Sequence, residues 1–303
     1  MQAKILPPPL KPGDLLRVIA PSGALREFDA FNQSIEIWRS RGYKVEVSPT
    51  IADKWGYLAG KDDQRRAQLA AAWEDPDCRG IICARGGFGS TRILEDWNWH
   101  TGLSPLENPK WLIGFSDITA LLWNLYNEGI SSVHGPVLTT LAKEPDWSIE
   151  RLFNLLSGRP LEPLKGNGWG GGVTTGILLP GNLTVATHLF GTSLKPNFDG
   201  VILGFEDVSE APYRIDRMLT QWRLTGALSK VRGIALGNFT ACEAPANVPS
   251  FSLEEVLRDR LGDLGIPVVS DLPFGHDSCN AALPVGALVT LDADQGILVS
   301  EEC

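Results

Sequence analysis

Short apolar runs alternate with helical stripes through the first half of the chain. Residues 15–20 (Leu-Leu-Arg-Val-Ile-Ala), 80–84 and 111–113, and a segment around Val133, are predominantly apolar stretches, as strands covered on both faces are, and 43–47 reads as a further strand. Between them lie patterns of helical period. Phe31, Ile35 and Trp38 share one face of a helix over 29–41 that stops at Gly42, and Asp62 and Asp63 open a helix to about Trp73, ended by Asp75-Pro76. Just past Ser116, Ile118, Leu121, Leu122, Leu125 and Tyr126 fall at i, i+3, i+4, i+7 and i+8. Asp146 is expected to cap a helix in which Ile149, Leu152, Phe153 and Leu156 repeat, with Gly158 and Pro160 as its stop. Such alternation predicts a mainly parallel sheet with helices on both faces.

The pattern changes over residues 158–172. Two prolines precede the run Lys165-Gly-Asn-Gly-Trp-Gly-Gly-Gly172, a composition expected to form neither a helix nor the interior of a strand. Beyond it, apolar runs at 173–179, 201–206, 231–237 and 266–270 are separated by helical patterns near 213–224 and 252–261. A terminal hairpin is predicted from 287–291 and 297–300 around Asp294-Gln295-Gly296. The expected organisation is an α/β domain over 1–160, a glycine-rich linker over 161–172, and a mixed, β-richer domain over 173–303. The sequence contains no internal repeat.

Length agrees with two domains, since 303 residues are many for one core. A net charge of -9 argues against a nucleic-acid partner. Five scattered cysteines (Cys78, Cys83, Cys242, Cys279, Cys303), with no C-x-x-C pair, indicate neither a disulfide framework nor a zinc ribbon. The first residues lack the apolar core of a signal peptide, and no apolar run approaches the roughly 20 residues of a membrane span. A soluble, cytoplasmic protein with no membrane partner is expected.

Candidate chemistry begins at Ser116. It stands between the strand ending at Gly114 and the helix that follows, where its hydroxyl is either a nucleophile beside free backbone N–H groups or an ordinary N-cap. The full G-x-S-x-G elbow is absent, because Asp117 and Ile118 follow the serine. Only four histidines are available as a base. His188 lies among Ala186, Leu189 and Phe190 and reads as a core residue, while His100 reads as surface or packing. His134 ends a strand before Gly135-Pro136, and His276 follows one in Leu272-Pro-Phe-Gly-His-Asp277; composition does not choose between them. The run Val201-Ile-Leu-Gly-Phe-Glu206-Asp207 ends in two acids, one of which can orient a base; in the alternative, Glu206, Asp207 or Glu210 pairs with Arg214 or Arg217. Arg85-Gly86-Gly87-Phe88-Gly89 matches neither the P-loop nor the dinucleotide fingerprint; it suits close backbone approach to a phosphate or to an oxyanion. No ligand spacing for a metal occurs, and no cofactor is expected.

Taken in order, these stretches resemble one family. Ala84-Arg-Gly-Gly-Phe-Gly-Ser-Thr-Arg-Ile-Leu94, Ile113-Gly-Phe-Ser-Asp-Ile-Thr119, His134-Gly-Pro136, Phe205-Glu-Asp-Val208, Pro212-Tyr-Arg-Ile-Asp-Arg-Met-Leu219 and Pro273-Phe-Gly-His276 are similar to motifs of the LD-carboxypeptidases. This serine-peptidase family includes the microcin C self-immunity peptidases. The resemblance spans about residues 13–291. It implies a flavodoxin-like N-terminal domain, a smaller β-rich C-terminal domain, a homodimer, and a triad at Ser116, Glu206 and His276 with oxyanion donors at Asp117 and Gly87. Arg85, Gly86, Phe88, His134 and Trp169 are the expected substrate contacts. The implied activity is release of terminal D-alanine from a murein tetrapeptide by cleavage of an L–D bond. The alternatives are a peptidyl-nucleotide amidase, in which Trp169 would stack on a base, and a two-domain protein that binds a small ligand without turnover.

Overall fold

The structure, a computed structural model, describes residues 4–100 and 106–301; Met1 to Ala3 and Cys303 lie outside them. Five strands, β1 (Leu15–Ile19), β2 (Lys44–Val47), β3 (Cys78–Cys83), β4 (Trp111–Gly114) and β5 (Ser132–His134), form a parallel sheet in the order β2-β1-β3-β4-β5. That order is flavodoxin-like, and its switch point lies between β1 and β3. Helices Phe28–Ser40, Asp62–Glu74 and Thr119–Asn127 connect its strands, as right-handed parallel crossovers require.

A second sheet of eight strands comprises β6 (Leu164–Lys165), β7 (Asn167–Trp169), β8 (Val173–Asn182), β9 (Val201–Val208), β10 (Gly233–Thr240), β11 (Val268–Ser270), β13 (Leu288–Asp292) and β14 (Ile297–Ser300). Its centre, β8-β9-β10-β11, is parallel, and the expected hairpin closes as the antiparallel pair β13-β14. The remaining strand, β12 (Leu283–Val285), leaves this half of the chain and pairs antiparallel with β5, setting Leu283 opposite His134.

The glycine-rich run departs from its sequence reading, because it supplies β6 and β7. Residues Asn167, Gly168 and Trp169 pair with Ser270, Val269 and Val268 of β11. The glycines permit this by lacking side chains: a Cβ on Gly166 would stand 2.1 Å from the Ser270 carbonyl oxygen, and one on Gly168 1.8 Å from that of Ala293. Segments outside 173–303 thus complete the second sheet, and a strand inside 173–303 completes the first.

The two sheets meet directly. A Cβ on Gly181 of β8 would lie 2.5 Å from Thr119 Cγ2, so the helix Thr119–Asn127 rests against the strand backbone. Trp123 Nε1 donates to the Pro180 carbonyl (2.8 Å), and the Asn182 N–H donates to Thr119 Oγ1 (3.0 Å). Trp123 is fully buried, as are Trp38 and Trp222. Each buried indole removes roughly 150–250 Å² from water, an upper bound of about 4–6 kcal/mol at 25 cal/mol per Å². Among the described residues, no helix is long and apolar enough to cross a membrane.

Candidate active site

The turn after β4 is built around two constraints. Gly114 cannot carry a side chain, since a Cβ would stand 2.9 Å from Ile118 Cγ2. Ser116 then takes φ +63°, a left-handed conformation that costs a non-glycine residue about 1–2 kcal/mol. The short 3₁₀ turn Ser116–Ile118 leads into the helix Thr119–Asn127. Phe115 is the N-cap of this turn and Ile118 that of the helix, and neither carries a side-chain cap, so the Ser116 hydroxyl does not stand at a cap position. It remains half-buried at the edge of a cavity of about 310 Å³.

Asp117 pins this turn to two other strand-end loops. Its Oδ2 accepts from Ser22 Oγ (2.6 Å), after β1, and from the Ser90 N–H (2.8 Å), after β3, while Ser90 Oγ donates to the Asp117 carbonyl (2.5 Å). Burial pushes the Asp117 carboxyl up, against these hydrogen bonds, which favour its ionised form. The side chain is therefore structural. Its backbone N–H lies in the first turn, where intrahelical acceptors are missing. Gly86 packs behind the serine: a Cβ there would stand 2.9 Å from Ser116 Cβ and 3.0 Å from Oγ. Gly87, at φ +109°, and Phe88 line the cavity.

On the second sheet, alternation along β9 sends its two terminal acids to opposite faces. Glu206 is fully buried, and its Oε2 accepts from His276 Nδ1 at 2.6 Å. Asp207 is saturated elsewhere, accepting from Asn182 Nδ2 (2.9 Å), Thr184 N (2.9 Å), Thr184 Oγ1 (2.8 Å) and Val208 N (2.8 Å). The choice that the sequence left open between the two acids thus has a geometric answer: only Glu206 meets a histidine. Neither pairs with the next helix; Glu210 does, with Arg214 at 3.4 Å.

His276 reaches Glu206 because Gly275 precedes it. At φ +115°, Gly275 lies so close that a Cβ would stand 2.8 Å from Glu206 Cβ. Burial acts to lower the His276 pKa, but the hydrogen bond and charge of Glu206, reinforced by Asp207, outweigh it and raise the value. The Phe115 ring contacts the His276 ring at 4.7 Å, which brings the turn carrying Ser116 to the imidazole. Among the described residues, no hydrogen bond joins Ser116 to His276, a separation common before substrate binds. The arrangement offers a half-buried hydroxyl at the cavity edge, an imidazole fixed by a buried carboxylate, and the backbone of Gly87 and Asp117 along the same cavity.

Other expected contacts fall differently. Arg85 turns away, donating to the Ala24 carbonyl (2.8 Å) and pairing with Glu27 (3.5 Å). His134 is fully buried behind Phe115 and, among the described residues, is not one that lines the cavity beside Ser116; β12 pairs along its strand. Trp169 belongs to a strand and lines a separate cavity of about 610 Å³ with Asn238, Arg258 and Asp277. The Arg258 guanidinium lies 4.6 Å over its ring, and its Nε1 donates to Ser270 Oγ (3.0 Å), so one face is already covered. His188, read from sequence as a core residue, is exposed at the end of helix Leu183–His188 and lines the cavity beside Ser116. His100 is also exposed, paired with Glu128 at 2.9 Å. Sequence reasoning missed Asn182 and Thr184, which line the cavity; the Pro180-Gly-Asn182 strand end ahead of a helix is the signal that was available.

Profiles of two domains match the chain: the LD-carboxypeptidase N-terminal domain over residues 16–135 and the LD-carboxypeptidase C-terminal domain over residues 175–291. A protein of Synechocystis sp., named provisionally as a carboxypeptidase, is 59% identical over 96% of both chains. The murein tetrapeptide carboxypeptidase of Pseudomonas aeruginosa is 31% identical over 92% of this chain and 93% of its own. The solved microcin C7 self-immunity protein, in complex with aspartyl sulfamoyl adenosine, shares the fold at a TM-score of 0.85, with 23% identity over 98% of each chain.

Proposed function

The chain belongs to the LD-carboxypeptidase family and is a serine-type carboxypeptidase, and from that premise we propose that it releases the terminal D-amino acid of a murein tetrapeptide through Ser116, Glu206 and His276. One observation carries the assignment of residues: the Glu206–His276 hydrogen bond of 2.6 Å lies beside a serine in a left-handed turn. His276 takes the proton of Ser116 as the hydroxyl attacks the carbonyl of the L-residue. Glu206 fixes the tautomer, holding the proton on Nδ1 so that the other nitrogen is the base, and it stabilises the imidazolium. The N–H groups of Gly87 and Asp117 receive the oxyanion. His276 then protonates the departing amine, and water hydrolyses the acyl-enzyme. In this reading the turn's strain presents the hydroxyl to the cavity instead of to the helix end.

The supporting name is that of the Pseudomonas relative, a murein tetrapeptide carboxypeptidase. Arg258 already occupies one face of the Trp169 ring, which weighs against base stacking there. The test is to incubate the protein and Ser116→Ala with murein tetrapeptide and, in parallel, with an aminoacyl sulfamoyl adenosine. D-Alanine released by wild type alone is the expected result. Faster cleavage of the nucleotide amide would replace the substrate assignment, and equal release by both proteins would remove Ser116 as nucleophile.

A further inference from the structure

Behind the Glu206–His276 pair lies a buried polar group that the proposed reaction does not use. His134, at the end of β5, is fully buried, and among the described residues neither ring nitrogen has a hydrogen-bond partner. Its ring stands edge-on to Phe115 (6.0 Å, 71°) and to Phe274 (5.9 Å, 89°). Those two aromatics also hold the catalytic imidazole, for Phe115 touches it and Phe274 precedes it by two residues. Glu206 uses Oε2 on His276, and its Oε1 is buried with no donor. Ser132, two positions before His134 and therefore on the same face of β5, carries a further buried, unpaired oxygen.

Native interiors pair nearly all such atoms, and a buried water needs two to four polar partners. Burial pushes the His134 pKa down to about 4; the charge of Glu206 opposes this and that of His276 adds to it. Among the described residues, no other charge acts on it from the elements packed around it, which present Phe115, Phe274 and, across the strand pair, Leu283. At neutral pH the ring is uncharged and offers one N–H donor and one acceptor.

We propose that His134 is a positioning residue for the Glu206–His276 pair, its neutral ring donating an N–H to Oε1 of Glu206 through one buried water that Ser132 also contacts. With both oxygens held, the carboxylate cannot rotate away from the imidazole. A donor on Oε1 also draws charge from Oε2, which moderates the basicity that Glu206 confers on His276. The inference rests on the reading of Glu206 and His276 as the catalytic pair.

Two variants separate positioning from packing. His134→Phe fills the space without a donor, and His134→Gln keeps one. In His134→Phe the acid limb of the kcat/KM profile should move up by about half to one pH unit, because Oε2 becomes a stronger acceptor. The same variant should lose about tenfold in kcat, with KM within about twofold. His134→Gln should restore most of both. An unmoved limb in His134→Phe, or equal losses in the two variants, overturns the proposal. Histidine ¹⁵N NMR of the wild-type protein tests it without turnover and without any variant. A single neutral tautomer of His134, with a slowly exchanging N–H persisting to about pH 5, is expected from its depressed titration. A ring that charges near its ordinary value, or an N–H in fast exchange, refutes the bridge. Because that signal needs no substrate, failure of the proposed activity and failure of this inference are distinguishable.

Discussion

Gly86→Ala tests whether Ser116 is held as rigidly as the surrounding contacts imply. The added Cβ would stand 2.9 Å from Ser116 Cβ, 3.0 Å from Oγ and 3.4 Å from the Phe115 carbonyl oxygen. Gly86 is not among the residues of positive φ, so alanine is allowed by the backbone and only the space is at issue. Carbon contacts settle at about 3.5–4.0 Å, so roughly 0.6–1 Å must be found. The serine turn has little room to yield. Gly114 already packs against Ile118, and Asp117 is tied to Ser22 and Ser90. Overpacking of this size costs about 1–3 kcal/mol of stability. Misplacing a reacting atom by about 1 Å costs about 10²-fold in rate. Gly86→Ala should therefore lose about 10- to 100-fold in kcat, with KM little changed and the protein still folded at 25 °C. The assay is D-alanine release, accompanied by urea unfolding and by the rate at which a fluorophosphonate labels Ser116. Wild-type kcat and labelling rate in a folded Gly86→Ala protein would refute the reasoning, because the turn would then give way without consequence.

Glu206→Gln keeps the shape but removes the charge that raises the His276 pKa, leaving burial to lower it. The acid limb should move to lower pH and kcat should fall by about 10³- to 10⁴-fold; an unmoved limb in the pH profile counts against the pairing. Because the folded His276 pKa is raised, its stabilising contribution is complete below the ordinary value and is lost as pH rises through the folded one, and this dependence should vanish in the variant. Asp62 is held at about 2 by Arg92 and Arg65, so its contribution is present above the ordinary carboxylate value and lost as pH falls toward 2. Asp62→Asn should lower the urea midpoint at pH 6 and match wild type near pH 2; a constant difference across that range would contradict the ion-pair account. Gly168→Ala places a Cβ 1.8 Å from the Ala293 carbonyl oxygen, which no side-chain adjustment relieves. Hydrogen exchange should show residues 164–170 losing protection ahead of the rest of the sheet, and retained protection there would show that β7 does not need the glycine.

The parallel sheet was legible because it rests on local signals. Predominantly apolar runs at β1, β3 and β4 and the stripe from Ile118 to Tyr126 follow from burial on two faces or on one. The edge strands β6 and β7 were not legible, since glycine propensity argues against a strand and the reason for the glycines lies in the backbones of Ser270 and Ala293, more than a hundred residues away. His188 was misread for a related cause. An apolar neighbourhood in sequence says that a helix has a buried face, but in a six-residue helix the last position also faces the cavity.

The candidate site was legible only through the family resemblance, and its construction explains why. Ser116 lies just past β4, Glu206 near the end of β9 and His276 in the segment between β11 and β12, and the contacts that join them are tertiary. Residue spacing carries no trace of such a site. What the chain does carry is a set of local requirements, each of which looks like a minor irregularity alone. Gly114 and Gly86 leave room for a serine at positive φ, and Gly275 lets His276 meet a carboxylate. Gly181 lets the helix that follows Ser116 rest on β8, and β8 pairs with β9 so that Asn182 lies opposite Glu206. The distance from the serine to its partners is therefore set by how closely Thr119 and Trp123 seat on Pro180 and Asn182. Any substitution that lifts that helix from β8 acts on Ser116 and leaves the Glu206–His276 bond intact, which is how damage to the interface between the sheets can be told from damage to the pair.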